Sequence, residues 1–211
     1  MITWTAMSAA CASSSSSSSN LTQADDEDTY QYDVEARDYA PLAVGANWTY
    51  ETNVLGDRTK GTVVIRIVDK AKGFYRDSAG AEYRHTAGGL RDRTRFLIRN
   101  PIKPGKKWKA TLSTASVEHF TIESIGQPCD TSAGRFDDCM VITAYQRRND
   151  RETQHVTYTW VRSVGLAKIL VEGEIKGRGR FRQSELSLVQ YSLSPRRPDV
   201  TEEGAPTQWN Q

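Results

Sequence analysis

No stretch of this chain stays apolar long enough to cross a bilayer as a helix. Cysteine and histidine are scarce, with three residues each, and neither a Gly-x-Ser-x-Gly elbow nor a phosphate-binding P-loop occurs. Charge of one sign is not in excess either. Lys+Arg number 28 and Asp+Glu 26, leaving a formal net charge of +2 and no general attraction for nucleic acid. The hydrophobic share is a modest 37%, consistent with polar tails around an ordinary core. No amphipathic helix of useful length can be traced. His85, His119 and His155 lie far apart, and none pairs at metal-ligand spacing. Asp137 and Asp138 are adjacent strand residues that face opposite sides, so they are expected to be solvated rather than paired for acid–base work. The expectation is a protein that is not an enzyme and carries no cofactor or metal.

What is present falls into three parts. Residues 1–37 hold MITWTAMSAA, Cys11, a serine run from Ser13 to Ser19, and the acidic stretch Asp25-Asp26-Glu27-Asp28. Such tracts cannot bury enough apolar surface to offset chain entropy and read as a tether. Residues 195–211, with Pro195, Pro198, Pro206 and Glu202-Glu203, read as a disordered tail. Between them, 38–194 reads as one β domain.

Ser8-Ala9-Ala10-Cys11 resembles the lipobox of bacterial lipoproteins, in which small residues precede a cysteine that is lipidated and becomes the N-terminus. Ser8 stands where leucine is usual, and no Lys or Arg precedes Cys11. The resemblance implies that Cys11 carries a lipid and that the true start lies further upstream.

Strand signals fill the middle. Gly61–Asp69 puts Val63, Ile65 and Ile67 on one face, and Glu152–Arg162 does the same for Val156, Tyr158 and Trp160. Gly73–Tyr75 and Ala81–His85 flank a turn; Leu90–Arg99, Leu166–Glu174 and Phe181–Leu193 read as further strands. Two junctions echo each other. Pro41, Leu42, Gly45 and Trp48 match Pro101, Ile102, Gly105 and Trp108 in a shared Pro-[Leu/Ile]-x-x-Gly-x-x-Trp spacing. Each reads as a turn that opens a strand locked by a buried indole. Many short strands with glycine turns argue an all-β fold, a single antiparallel sandwich or an open half-barrel.

Thr121–Tyr145 reads as a hairpin. On its return strand Cys139, Val141, Thr143 and Tyr145 share one face, and Met140, Ile142 and Ala144 the other. A two-residue turn at Ala133-Gly134 would set Cys129 opposite Asp138 and the cysteines on opposite faces. An odd loop centred on Gly134 sets Cys129 opposite Cys139, where a disulfide can span. In an exported chain the second register and the disulfide are expected, with the Val141 face buried and Phe136 packing at the hairpin end; in a reducing compartment the thiols would stay free.

PLAVGANWTY, PIKPGKKW, SAGRFDDCMVI, TWVRSVGLAKIL and SELSLVQY together resemble a group of uncharacterised bacterial envelope lipoproteins, over about residues 39–193. Their pattern is two proline-glycine-tryptophan junctions, then VPAGTFxDCxxV, then YAPGVGLVK, then a closing strand. Here Ser132 replaces the hairpin proline, and Arg162-Ser163 replace Pro-Gly before Val164-Gly165. In outline the group is similar to the half-barrels of lipoprotein carriers such as LolA and LolB, an analogy of fold only. The resemblance implies export and a β architecture rather than a reaction; with the anchor at Cys11, the expected location is the bacterial cell envelope, at the outer membrane with the β domain facing the periplasm.

Two function classes follow. The first is a lipid-anchored, non-enzymatic binding or structural module of the envelope. The second is a carrier holding an acyl chain or other apolar ligand in a concave face. Trp48, Trp108, Trp160 and Tyr158 would form either the core or the wall of that face. Lys176, Arg178, Arg180 and Arg182, alternating around Phe181, read as a one-sided cationic strip that could meet an anionic partner, or as an edge strand protected by charge. An aromatic-lined groove in place of a filled core favours the carrier.

Overall fold

In the computed structural model, which describes residues 34–54, 59–113 and 116–193, the alternating segments form twelve strands in one antiparallel sheet. The strands are β1 (Asn47–Val54), β2 (Thr59–Ala71), β3 (Phe74–Asp77), β4 (Glu82–Thr86), β5 (Gly89–Arg91), β6 (Phe96–Arg99), β7 (Lys107–Ser113), β8 (Ser116–Thr131), β9 (Gly134–Arg147), β10 (Glu152–Val161), β11 (Gly165–Ile175) and β12 (Gly179–Ser192). The all-β expectation holds, and of its two architectures the barrel is the one adopted. Cys11 with its tether and the C-terminal tail lie outside the described residues.

The sheet order is β6-β5-β4-β3-β2-β1-β12-β11-β10-β9-β8-β7, so two six-stranded meanders join where β1 pairs with β12. The free edges, β6 and β7, share no backbone ladder. Side chains close the gap instead: the Trp108 indole N–H of β7 donates to the Phe96 carbonyl of β6 at 3.0 Å, and Arg95, just before β6, pairs with Glu118 of β8. The sheet therefore curls into a nearly closed barrel, which leaves few unpaired edge groups.

The two Pro-x-x-x-Gly-x-x-Trp junctions are the same device twice. The Gly45 amide donates to the Ile67 carbonyl at 2.8 Å, and the Gly105 amide donates to the Ile122 carbonyl at 2.8 Å. In return the Ile67 amide donates to Ala46 and the Ile122 amide to Lys106, both at 2.9 Å. Both glycines need positive φ, 92° at Gly45 and 76° at Gly105, where a side chain would be strained. Each junction thus starts a meander, one at β1 and one at β7. Each tryptophan then ties its strand to a distant carbonyl, Trp48 to Val164 at 2.7 Å and Trp108 to Phe96.

One end of the barrel is closed by the N-terminal segment. A short helix, α1 (Ala36–Tyr39), is buried at Ala36 and Tyr39. Its Tyr39 hydroxyl donates to Asp138 at 2.7 Å, and the Ala36 amide donates to the Asn100 side chain at 3.0 Å. Asp38 accepts the Ser163 amide at 2.6 Å. The packed chain therefore begins before the expected boundary at residue 38. Asp138 is likewise a partner of Tyr39 and Arg162 rather than a merely solvated residue.

Three other expectations are corrected. Leu90–Arg99 is two strands, because the Asp92 carboxylate accepts the Thr94 and Arg95 amides, both at 2.7 Å, and folds the chain into a turn. The β8–β9 hairpin turns at Ser132-Ala133, with Thr131 opposite Gly134 and Cys129 opposite Phe136. Register shifts near Gly126 and beyond displace the ladder, so Cys139 faces Gln127 and Cys129 is its diagonal neighbour. The Cys129–Cys139 disulfide forms on that diagonal, across a Cα–Cα distance of 6.0 Å.

The buried face of β9 is also the other one. Met140, Ile142 and Ala144 point into the barrel, whereas Val141 is half-buried and Tyr145 exposed. Cys139 is buried on the outer side for a separate reason. The hairpin end folds back over the outside of the wall as a strap. The Ala133 amide donates to Leu188 at 2.7 Å, Ser132 bonds Glu51, and Phe136 packs on Tyr191 at 6.3 Å between ring centroids. This second cluster buries Cys139, Val161 and Ala167 beneath Ala133 and Phe136.

Candidate functional site

Part of the barrel interior is packed, with Ile98, Ile122, Met140, Ile142 and Ala144 buried in one cluster, and beside that cluster lies a cavity. Its volume is about 870 Å³, and it runs from Ala40 and Leu42 at the end closed by α1 to Arg148 and Gln154 at the other. That lies within the range of small-molecule sites, roughly 300–1,000 Å³. Sealed and empty, such a volume would cost about 20 kcal/mol at roughly 24 cal/mol per Å³. A protein's whole stability is about 5–15 kcal/mol. The interior must therefore admit water or hold a ligand.

Alternation explains the lining. Trp48 and Tyr50 of β1 face Ile65 and Val63 of β2 across the ladder, and all four border the cavity. Tyr158 and Trp160 of β10 join them, placed by the strand face read from sequence. Trp108 does not border the cavity; its ring stacks on Phe120 at 5.1 Å, and Phe120 meets the space in its place. Val63 and Leu112 line the cavity yet remain 37% and 40% exposed, which puts an apolar rim at its opening. The phenols of Tyr50 and Tyr83 have pKa values pushed well up by burial, and that of Tyr158 is raised for the same reason, so they face the cavity as neutral groups.

Sequence reasoning missed the charged cluster in the wall. Arg95, from the turn between β5 and β6, pairs with Glu118 of β8 and lies 3.4 Å from Asp92. Burial works against the Arg95 charge, but Glu118, Tyr158 and Asp92 together outweigh it, and the guanidinium pKa lies above its ordinary value. Burial likewise raises Asp92, while the amides of Arg95 and Thr94 pull it further down, and the net shift is downward. A signal for Glu118 was available: it precedes Phe120 and Ile122 by steps of two, a charged residue on an apolar strand face.

The cationic strip does not exist as read. Lys176 and Arg178 lie in the turn between β11 and β12, off the strand pattern. Arg180 and Arg182 sit across from Glu174 and Glu172. Arg180 is 3.6 Å from Glu172, and Arg182 is 3.8 Å from Glu185. Carboxylates therefore answer both strand arginines.

The histidines stay apart. His85 Nε2 contacts the Ala40 carbonyl at 2.8 Å, His119 stacks on Tyr145 at 4.6 Å, and His155 Nε2 lies 2.7 Å from Glu174. Among the described residues no group of three or more His, Cys, Asp or Glu is placed to hold a metal ion.

No protein-family model matches the chain, and no curated protein does. Two solved structures are similar at low identity. One, from Bacteroides fragilis, is described as an exported protein with a YmcC-like fold; it is 12% identical with a TM-score of 0.41, over 72% of this chain and 98% of that one. The other, from Parabacteroides distasonis, is described as a lipoprotein; it is 11% identical with a TM-score of 0.38, over 73% of this chain and 98% of that one.

Proposed function

We propose that this protein is an exported, lipid-anchored and non-enzymatic module of the bacterial cell envelope that binds an apolar ligand inside its barrel. The observation that carries the reading is the 870 Å³ cavity with aromatic and aliphatic walls. A structural module would have no use for an interior of that size, since filling it with side chains would add stability. The Cys129–Cys139 disulfide supports an oxidising compartment. The small-residue run before Cys11 and the serine tether after it support the anchor, with the domain facing the periplasm. Membership of the envelope lipoproteins that the sequence resembles belongs to the same reading.

Nile red, a neutral dye that brightens in apolar surroundings, tests the cavity. The full-length protein should bind it at one site. Leu186→Trp, which enlarges a side chain on the cavity wall, should weaken binding several-fold while circular dichroism stays unchanged. Dye binding that is absent, or indifferent to this variant, would overturn the proposal.

A further inference from the structure

The wall of the cavity changes character along its length. Across β8, β9 and β10 the inward-facing residues form rows: Ile122 pairs with Ile142 and Ile142 with Tyr158; Phe120 pairs with Ala144 and Ala144 with Val156; of these Phe120, Tyr158 and Val156 border the cavity, and the others are packed beside it. The next row, two residues along each strand, is Glu118, Gln146 and Gln154. Apolar wall gives way to a polar collar within one strand repeat. Ser116 bonds Gln146 there, and Arg148 bonds Gln154.

The carboxylates of this region are already engaged. Glu118 holds Arg95, and Asp92 accepts the Thr94 and Arg95 amides. Asp77 accepts the Ala79 and Ala81 amides at 2.9 and 2.8 Å and the Tyr83 hydroxyl at 3.0 Å. Arg148 differs. It is exposed, it borders the cavity, and its guanidinium donates to the neutral amide oxygen of Gln154. Among the described residues no carboxylate pairs with it. Among the described residues the charged group of the cavity lining that neither an opposite charge nor a backbone group engages is therefore the Arg148 guanidinium.

Resting on the reading of the interior as an apolar site, we propose that the ligand is an amphiphile with an anionic head, its chain in the barrel and its head on the Arg148 guanidinium. A guanidinium matches either a carboxylate or a phosphate through paired donors. The collar thus turns a generic apolar cavity into one that selects a head group.

The test displaces Nile red from the full-length protein with four ligands of one chain length below their micellar concentrations: palmitate, hexadecyl phosphate, hexadecanol and hexadecyltrimethylammonium. One or both anions should bind about tenfold more tightly than hexadecanol, as one added charge-assisted contact implies. In Arg148→Gln that gap should close, and in Arg148→Lys most of it should remain. If hexadecanol displaces the dye as well as the anions do, if the cation binds most tightly, or if Arg148→Gln keeps the gap, the head-group assignment is wrong while the apolar cavity stands. If Nile red itself does not bind, the parent reading fails.

Discussion

The disulfide allows the sharpest test of how the barrel is held, because it sits at the bend where the β8–β9 hairpin leaves the wall to become the strap. Cys129 and Cys139 are separated by 10 residues in sequence. Closing a loop of that length in the unfolded chain is worth about 3 kcal/mol in the chain-entropy account. The effect should appear in global unfolding rather than in local fraying. Lifting the strap would expose Val161 and Ala167, which it keeps at 3% and 0% accessible, so an open strap on an intact barrel is itself costly. The double substitution Cys129→Ala, Cys139→Ala removes the bond without leaving a reactive thiol. It should lower the urea-unfolding free energy by about 3 kcal/mol, which for a domain of this size is a midpoint shift of roughly 6–12 °C on heating. Reductant should bring the wild type towards the double variant and leave the variant unmoved. A double variant within about 0.5 kcal/mol of the wild type would refute the reasoning, since neither loop entropy nor strap cover would then contribute.

Further outcomes follow from single contacts. Gly89→Ala should cost about 3 kcal/mol or more in urea unfolding, because a Cβ there would sit 2.1 Å from the Ile98 carbonyl at a φ of 125°; a cost below about 1 kcal/mol would mean the β5–β6 approach is looser than described. Trp48→Phe should lose about 2 kcal/mol by orphaning the Val164 carbonyl, whereas Trp160→Phe should lose less, since the Trp160 indole N–H is buried without a partner. Equal losses in the two variants would show that ring packing, not hydrogen bonding, sets the cost. Burial holds the His85 pKa below its ordinary 6.5, so the unfolded chain takes up the proton first; the stability this gives is complete above 6.5 and is lost as pH falls from there through the lower folded value. His85→Gln should flatten the stability–pH curve below about pH 6.5. Curves of equal slope for the two proteins would remove His85 from the account.

Local features of the fold were legible because local physics makes them. Alternation placed Val63, Ile65, Tyr158 and Trp160, and the repeated Pro-x-x-x-Gly-x-x-Trp spacing placed Trp48 and named two junctions with matching hydrogen bonds. Register was not legible, since β8 and β9 shift past each other at several places and no single turn length accounts for all of them. The same limit hid the buried face of β9, where Cys139 is covered by a strap returning from the same hairpin. The arginine strip failed for a related reason: Glu172 and Glu174 oppose it from the next strand, and one strand's pattern says nothing about its neighbour's charges. Arg95 and Glu118 meet only because the sheet edges approach, across 23 residues of sequence.

The cavity follows from strand number once closure is known. About eight strands give a barrel whose interior side chains just fill it, and diameter grows with each strand added. The twelve strands here enclose more space than their inward residues occupy. Their lengths are also unequal. β3 to β6 have 4, 5, 3 and 4 residues, while β8, β9 and β12 have 16, 14 and 14. A wall built from such short strands cannot rise as far as its opposite side. The cavity lining accordingly includes Ala81 and Arg95 from the turns that top these strands, beside the exposed Val63 and Leu112. The opening therefore lies where the first meander is low and the long strands of the second carry their polar collar above it. Closure alone would have left a plain apolar tube; the mismatch in strand length sets an apolar rim and a guanidinium at the same mouth, which is the arrangement an amphiphile with one charged end requires.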